Sequence, residues 1–416
     1  MSKNKNATRA DHQVIVVGAG FSGLCMAIQL KEAGYDDFVV LEKAADIGGT
    51  WRDNIYPGCA CDVPSHLYSY SFAPNPRWSR MFAPQQEIWD YLKRCADKFG
   101  VTPHMRFNCE VERAVYDEQK QIWHVTTHDG TELTTRVFVS GIGALGIPAY
   151  PKLPGVENFQ GEAFHSARWN HDYDLTGKRV AAVGTGASAI QFVPRIAPEV
   201  EQLDLYQRTP PWVLSKPDRR MTKIEKLLFK TLPVTQKLFR GGIYWWMESR
   251  VLGLAVDPRA MKLAELYGRH FIRRNIKDQE LRKKVTPDYT IGCKRILMSD
   301  EYYPSLNRDN VAVLTDGIQE VKAHSIVDGQ GVEREVDCII YGTGFKVSDP
   351  IGPMQIIGKG GEEIRDTWDE TGMEAYLGIS VSGFPNFFML LGPNTGLGHT
   401  SIVFMIEAQV NYVMQA

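Results

Sequence analysis

The sequence has no apolar run of the ~18 residues that a membrane-spanning helix needs. Its first residues, MSKNKNATRADHQ, lack the apolar core of a secretory signal. Cysteine is sparse, seven in 416 residues, an odd number scattered along the chain. That excludes a secreted disulfide framework and points to a reducing compartment, so a cytoplasmic protein is expected. A surplus of charge is missing too. With 47 basic and 49 acidic side chains the net charge is −2, which leaves no strong field for nucleic acid or an acidic membrane. What is present is ordinary for a folded protein: 44% hydrophobic and 23% charged residues. The length allows two or three domains at about 100–200 residues each.

HQVIVVGAGFSGLCMAIQLKEAGY reads as a buried parallel strand, a tight glycine turn and an amphipathic helix closed by Gly34, with DFVVLEKA as the next strand. Gly18 permits the turn, Gly20 lets the backbone approach a pyrophosphate, and Gly23 lets helix and strand pack closely. Glu42, 19 residues past Gly23 at the strand end, can accept both ribose hydroxyl protons. KRVAAVGTGASAIQFVPRIA repeats the unit with Gly184, Gly186 and Ala189. Its next strand, QLDLYQRTP, ends in Arg208 and Thr209, and Arg208 again lies 19 residues past the third small position. A guanidinium there suits a 2′-phosphate, so NADPH is expected over NADH. The fold class is therefore α/β, with two Rossmann-like dinucleotide-binding domains.

Between the units, residues 111–143 alternate as a β-meander with a turn at His128-Asp129-Gly130. IPAYPKLPG, with three prolines, is a stiff connector and a domain boundary. A basic, aromatic helical stretch over about 221–284 follows, which Pro233 and Gly241-Gly242 should break into short pieces; it reads as an insert packed on a nucleotide domain in preference to a helix on a membrane surface. VDCIIYGTGF returns the chain as a buried strand and turn, and the sequence stops within an apolar helical pattern. The expected partition is an FAD domain at 1–147 resumed at 346–416, an NADPH domain at 148–215 resumed at 290–345, and a helical insert at 216–289.

FQGEAFHSARWN, residues 159–170, resembles the fingerprint of the type I Baeyer–Villiger monooxygenases, Phe-x-Gly-x-x-x-His-x-x-x-Trp. Phe159, Gly161, His165 and Trp169 match it, and Asn170 departs at the final Pro-or-Asp position. GGTWRDNIYPGCACD resembles a second motif of that family at Gly48, Gly49, Trp51, Tyr56, Pro57, Gly58 and Asp62. The similarity runs from the first glycine turn to GPNTG at 392–396, and members of the family usually continue further. The resemblance implies a flavoprotein that takes NADPH and O2 and converts ketones to esters or lactones through a C4a-peroxyflavin.

It also implies who does what. Lys294-Arg295 matches the family's Lys-Arg pair, so Arg295 is expected to be the fixed cation near the flavin, held by Asp62, while Lys294 joins Arg208 at the NADP 2′-phosphate. FAD would be held by Gly18, Gly20, Phe21, Gly23, Glu42, Gly49, Thr50, Trp51, Asp62, Tyr68 and Val111. NADP would be held by Gly184, Thr185, Gly186, Ser188, Ala189, Arg208, Thr209, Lys294 and Arg295. His165 is expected to act as a hinge fixture between the domains, without proton transfer. Cys59 and Cys61 read as loop residues and not as metal ligands, and His124 and His128 as solvent-side. His399 reads equally as a residue approaching the flavin or as an exposed residue near a helix start. Two alternatives stand beside ketone oxygenation: sulfide or amine oxygenation by the same flavin chemistry, and a shortened FAD- and NADP-binding protein without productive oxygenation. The substrate is otherwise a small molecule, with no nucleic acid and no transmembrane segment.

Overall fold

The first glycine-turn unit folds as strand β1 (His12–Val17), helix α1 (Phe21–Glu32) and strand β2 (Phe38–Leu41), with β1 and β2 parallel and Val14 opposite Phe38. The computed structural model describes residues 10–257, 259, 261–347 and 351–416. The polar start 1–9, and positions 258, 260 and 348–350 of the expected insert and returning segment, lie outside the described residues. Gly18 takes φ +94°, a left-handed conformation that side chains avoid, and so allows the strand to turn into α1. At Gly23 a Cβ would sit 1.8 Å from the Gly18 carbonyl oxygen, so only glycine lets α1 lie this close to the turn.

The sheet grows around this unit. Helix α2 (Thr50–Asp53) and helix α3 (Gln85–Lys98) precede the short strand β3 (Met105–Arg106), which pairs with β2. The expected meander forms as β4 (Val111–Asp117), β5 (Ile122–Thr127) and β6 (Glu132–Ser140), antiparallel neighbours, with the turn at 128–130 joining β5 to β6. The far half of β6 then lies parallel to β1 on one side and to the late strand Phe387–Met389 on the other. The strand Gln355–Ile357 pairs with β4, so the chain returns to this sheet after its long excursion. Helix Ile402–Val413, capped by Ser401, packs on α1.

That excursion builds the second sheet. Strands β7 (Glu162–His165), β8 (Arg179–Val183) and β9 (Gln202–Tyr206) join Val311–Leu314 and Cys338–Tyr341 in one all-parallel layer, with helix α4 (Ala189–Ile196) crossing from β8 to β9. Parallel strands buried on both faces need continuous apolar runs, and VAAV and CIIY supply them. A single apolar cluster runs from Val16 and Leu24 of the first layer to Val180, Leu205 and Trp212 of the second.

The insert folds as α5 (Lys223–Thr231), α6 (Pro233–Glu248), α7 (Met261–Asn275) and α8 (Gln279–Val285). Pro233 opens α6 at its first turn, where a missing N–H costs nothing. Gly241-Gly242 do not break that helix, contrary to expectation. Each glycine costs about 1 kcal/mol against alanine. That is too little to interrupt a helix whose Gln236, Ile243 and Met247 are buried. Among the described residues, no helix is long and apolar enough to cross a membrane.

Candidate functional site

Both glycine turns point into one cleft of about 1370 Å³ between the two sheets. On the first side it is lined by Gly18, Gly20, Phe21, Glu42, Gly49, Thr50, Trp51, Asp62, Tyr68 and Val111. Gly23, expected with them, does not line it; its place is the contact of α1 with the turn. Glu42 directly follows β2 and is buried, accepting from the Ala19 N–H at 2.7 Å and the Ala44 N–H at 3.0 Å. Arg52, which the sequence reading passed over, donates to the same carboxylate at 3.0 Å. The backbones of Gly20 and Gly49 approach so closely that a Cβ on Gly49 would lie 3.2 Å from the Gly20 Cα. These residues fit a dinucleotide: a turn stripped of side chains where a pyrophosphate would pass, and a fixed carboxylate where a ribose would sit.

Trp51 donates its indole N–H to the Tyr68 hydroxyl at 3.1 Å, and the Tyr68 ring meets Phe21 edge-on at 5.1 Å. Burial pushes the Tyr68 phenol upward, so it remains neutral. Beyond this wall, Arg295 Nη2 lies 2.5 Å from Asp62 Oδ2, across 233 residues of sequence. Arg295 is exposed, but into the cleft that it lines, and the Asp62 carboxylate holds its pKa above the ordinary arginine value. A permanent, oriented positive charge therefore stands at the junction of the two layers.

The loop carrying Asp62 is tied down from the second domain. Gln191 of α4 accepts from the Tyr56 hydroxyl at 3.0 Å and the Ala60 N–H at 3.2 Å, and donates to the Ala60 carbonyl at 3.0 Å. Lys216 Nζ donates to the Cys61 carbonyl at 3.0 Å. Neither residue was picked out from the sequence; such ties across more than 100 positions carry no local signal. Arg295 is set by the strand Leu297–Met298, which pairs with Val213–Leu214.

On the second side the cleft is lined by Gly184, Thr185, Gly186, Ser188, Arg208, Thr209 and Lys294, and Ala189 lies behind them at the start of α4. Arg208 is exposed directly after β9, and Lys294 stands over the Tyr289 ring. Thr185 Oγ1 donates to the Thr209 carbonyl at 3.3 Å, joining the turn to the Arg208 loop.

The fingerprint residues stay outside the cleft lining. A Cβ on Gly161 would come within 2.5 Å of both the Asp337 carbonyl and the Phe159 ring, and Trp169 packs on Phe164 and Phe192. His165 is fully buried at the end of β7; its Nδ1 accepts from the Ala167 N–H at 3.1 Å. Its ring meets Tyr150 and Phe345, one from each strand of chain that passes between the domains. Burial lowers its pKa, which keeps it neutral near pH 7. Asn170, the departure from the fingerprint, accepts from the Asp172 N–H at 3.0 Å and donates to Glu162 at 2.9 Å.

His399 does not line the cleft; its Nε2 faces Glu248 of α6 at 3.5 Å. His128 is exposed and His124 is half-buried beside Asp117. Cys59 and Cys61 are buried free thiols in the loop, and burial pushes the Cys59 thiol up to about 12.

Comparison with known proteins places the chain. Residues 11–359 match the family model for flavin-binding monooxygenase-like proteins. A Baeyer–Villiger monooxygenase of Pseudomonas aeruginosa is 54% identical over 417 aligned positions, covering all of this chain and 79% of the relative. The crystal structure of cyclohexanone monooxygenase from Rhodococcus sp. Phi1 bound to NADP+ superposes with a TM-score of 0.87 at 30% identity, covering 98% of this chain and 84% of that one. The OTEMO complex with FAD and NADP gives a TM-score of 0.88 at 31% identity, with 98% and 84% coverage.

Proposed function

This chain belongs to the flavin-binding monooxygenase-like family, among its Baeyer–Villiger monooxygenases, and from that membership we infer an NADPH- and O2-dependent enzyme that converts ketones to esters or lactones. It is an FAD-containing flavoprotein. The overall reaction takes ketone, O2, NADPH and a proton to ester, water and NADP+. The observation that carries this reading is the Arg295–Asp62 pair, set in a cleft with a glycine turn on each side.

Bound FAD would supply the redox and oxygen chemistry. The chain's part is binding, orientation and charge. Glu42 would hold the ribose of FAD, with Arg52 fixing the carboxylate from behind. Gly18, Gly20 and Gly49 give the cofactor's pyrophosphate access to backbone N–H groups. Arg208, with Lys294, would take the 2′-phosphate that separates NADPH from NADH. Arg295 would stabilise negative charge as it develops on oxygen during attack on the ketone, and Asp62 keeps the guanidinium aimed. His165, neutral and walled by Tyr150 and Phe345, would steady the passage between the domains.

Those roles go with the division into 1–147 and 346–416 for FAD, 148–215 and 290–345 for NADPH, and 216–289 as insert; the two separate sheets support it. Seven free cysteines, most of them buried, favour a cytoplasmic setting. The test is purification with bound yellow flavin, then ketone-stimulated NADPH consumption measured together with ester formation. Consumption without ester on any ketone, but with sulfoxide from an aryl sulfide, would replace this reading with heteroatom oxygenation.

A further inference from the structure

Helices α5 and α6 form a hairpin whose greasy stripe faces the wrong way for a packed insert. On α5, Ile224, Leu227 and Leu228 follow i, i+3, i+4 spacing, the pattern of a face meant for burial. On α6, Val234, Leu238 and Trp245 continue it, with Leu232 between the helices. All seven side chains are between 41% and 72% exposed. The hairpin is nevertheless firmly seated by its opposite face. Phe229, Gln236, Ile243 and Met247 are buried, Gln236 donates to the Asn75 carbonyl at 3.0 Å, and Arg240 donates to the carbonyls of His66 at 2.6 Å and Ser69 at 2.9 Å. The outward stripe is thus a consequence of how the hairpin docks, not of loose packing.

Charge tells what would cover it. Residues 219–240 carry Arg219, Arg220, Lys223, Lys226, Lys230, Lys237 and Arg240 against the single acid Glu225, in a chain of net charge −2. Glu225 is itself paired with Arg219 at 2.6 Å. Lys223, Lys230 and Lys237 are exposed, with no ion-pair partner among the described residues. A second copy of this hairpin would bring like charges together. An apolar stripe bordered by unpaired lysines, with a tryptophan at one end, instead matches the interface of an anionic bilayer, where the stripe enters the acyl boundary and the lysines meet headgroups.

We propose that the α5–α6 hairpin docks the protein on an anionic phospholipid surface, lying in its plane without crossing it. This stands apart from the catalytic reading and does not depend on it.

The test is co-sedimentation of the FAD-loaded protein with sucrose-loaded vesicles of phosphatidylcholine alone or mixed equally with phosphatidylglycerol. Binding to the mixed vesicles should exceed binding to the neutral ones by about tenfold or more at low salt and should weaken as salt rises. A Leu227→Gln, Leu238→Gln variant and a Lys223→Glu, Lys230→Glu, Lys237→Glu variant should each lose most of that binding while keeping flavin content and NADPH oxidation, which shows that they fold. Sedimentation of neither the parent protein nor the variants overturns the proposal, as does equal sedimentation of all three. A concentration-dependent dimer seen by analytical ultracentrifugation, abolished by the leucine variant and unaccompanied by vesicle binding, assigns the stripe to a second copy and overturns it too.

Discussion

A guanidinium works as a fixed charge only if something fixes it, and among the described residues Arg295 has one carboxylate partner, Asp62. Its place on the cleft wall predicts a separation of functions. Arg295→Met should leave FAD bound and NADPH consumed while ester formation falls by about 10²–10³-fold, the usual scale for losing one preorganised electrostatic stabiliser. Product yield per NADPH is the measurement, and an unchanged yield removes Arg295 from the chemistry. Arg208 is exposed to the cleft and reaches no acidic partner at salt-bridge distance among the described residues, which leaves its charge available to a phosphate. Arg208→Ala should raise KM for NADPH by about 10–100-fold, corresponding to ~1.5–3 kcal/mol for a charge-assisted contact. KM for NADH should hardly move, because NADH lacks the 2′-phosphate; a parallel rise for both cofactors would mean that Arg208 acts on the fold. Arg208 could be read from its spacing after a strand, because that spacing is local. Arg295 and Asp62 were legible only through a family resemblance, since nothing near residue 62 announces residue 295. Arg52 was missed because a half-buried arginine two residues after GGT looks like any helix-surface cation.

At the scale of elements, the turns around Gly18 and Gly184 were readable because the whole unit lies within 25 or so consecutive residues and each glycine answers a steric demand. The insert was harder. Helix breakers were overweighted there: burial on one face held α6 straight through two glycines, and burial depends on partners such as Asn75 and His66 more than 150 positions away. His66 sits between the Phe229 and Phe239 rings at 4.9 and 5.3 Å and accepts from Gln236 at 3.1 Å, so it is part of the hairpin's seat. Burial, helped by the Arg240 charge, pushes it down to about 4 from the ordinary 6.5. The folded protein therefore holds His66 neutral where the unfolded chain takes up a proton. Stability from this group is complete above pH 6.5 and is lost progressively as pH falls towards 4. By pH 5 the loss should be roughly 2 kcal/mol. Urea unfolding at pH 7 and pH 5 measures it, and His66→Gln should show a correspondingly smaller drop between the two. An identical drop in the variant would mean that other groups carry the acid sensitivity.

At the scale of the molecule, one apolar cluster spans both sheets, and the segments that join them cross beside His165. Two domains that share a core should melt together, although each carries its own nucleotide site. Glu42 and the first turn would bind FAD only when folded, and the second turn with Arg208 would bind NADP only when folded, so each ligand should stabilise the native state by mass action. At a hundredfold excess over Kd the gain is about 2.7 kcal/mol. Unfolding entropy near 2.1 cal/mol/K per residue gives about 0.9 kcal/mol/K for a cooperative unit of this length, so the midpoint should rise by about 3 °C. Calorimetry of the flavin-depleted protein should then show a single transition that FAD raises, and that NADP+ raises further. In Glu42→Gln the FAD increment should shrink while the NADP+ increment survives, because that carboxylate touches only the first site. Two separate transitions, each answering to one ligand, would show that the shared cluster does not couple the sheets. The contacts of Gln191 and Lys216 with the Asp62 loop would then be what holds the cation between the two cofactors, and Gln191→Ala should partly uncouple NADPH oxidation from ester formation, less severely than loss of Arg295 itself because the Lys216 contact remains.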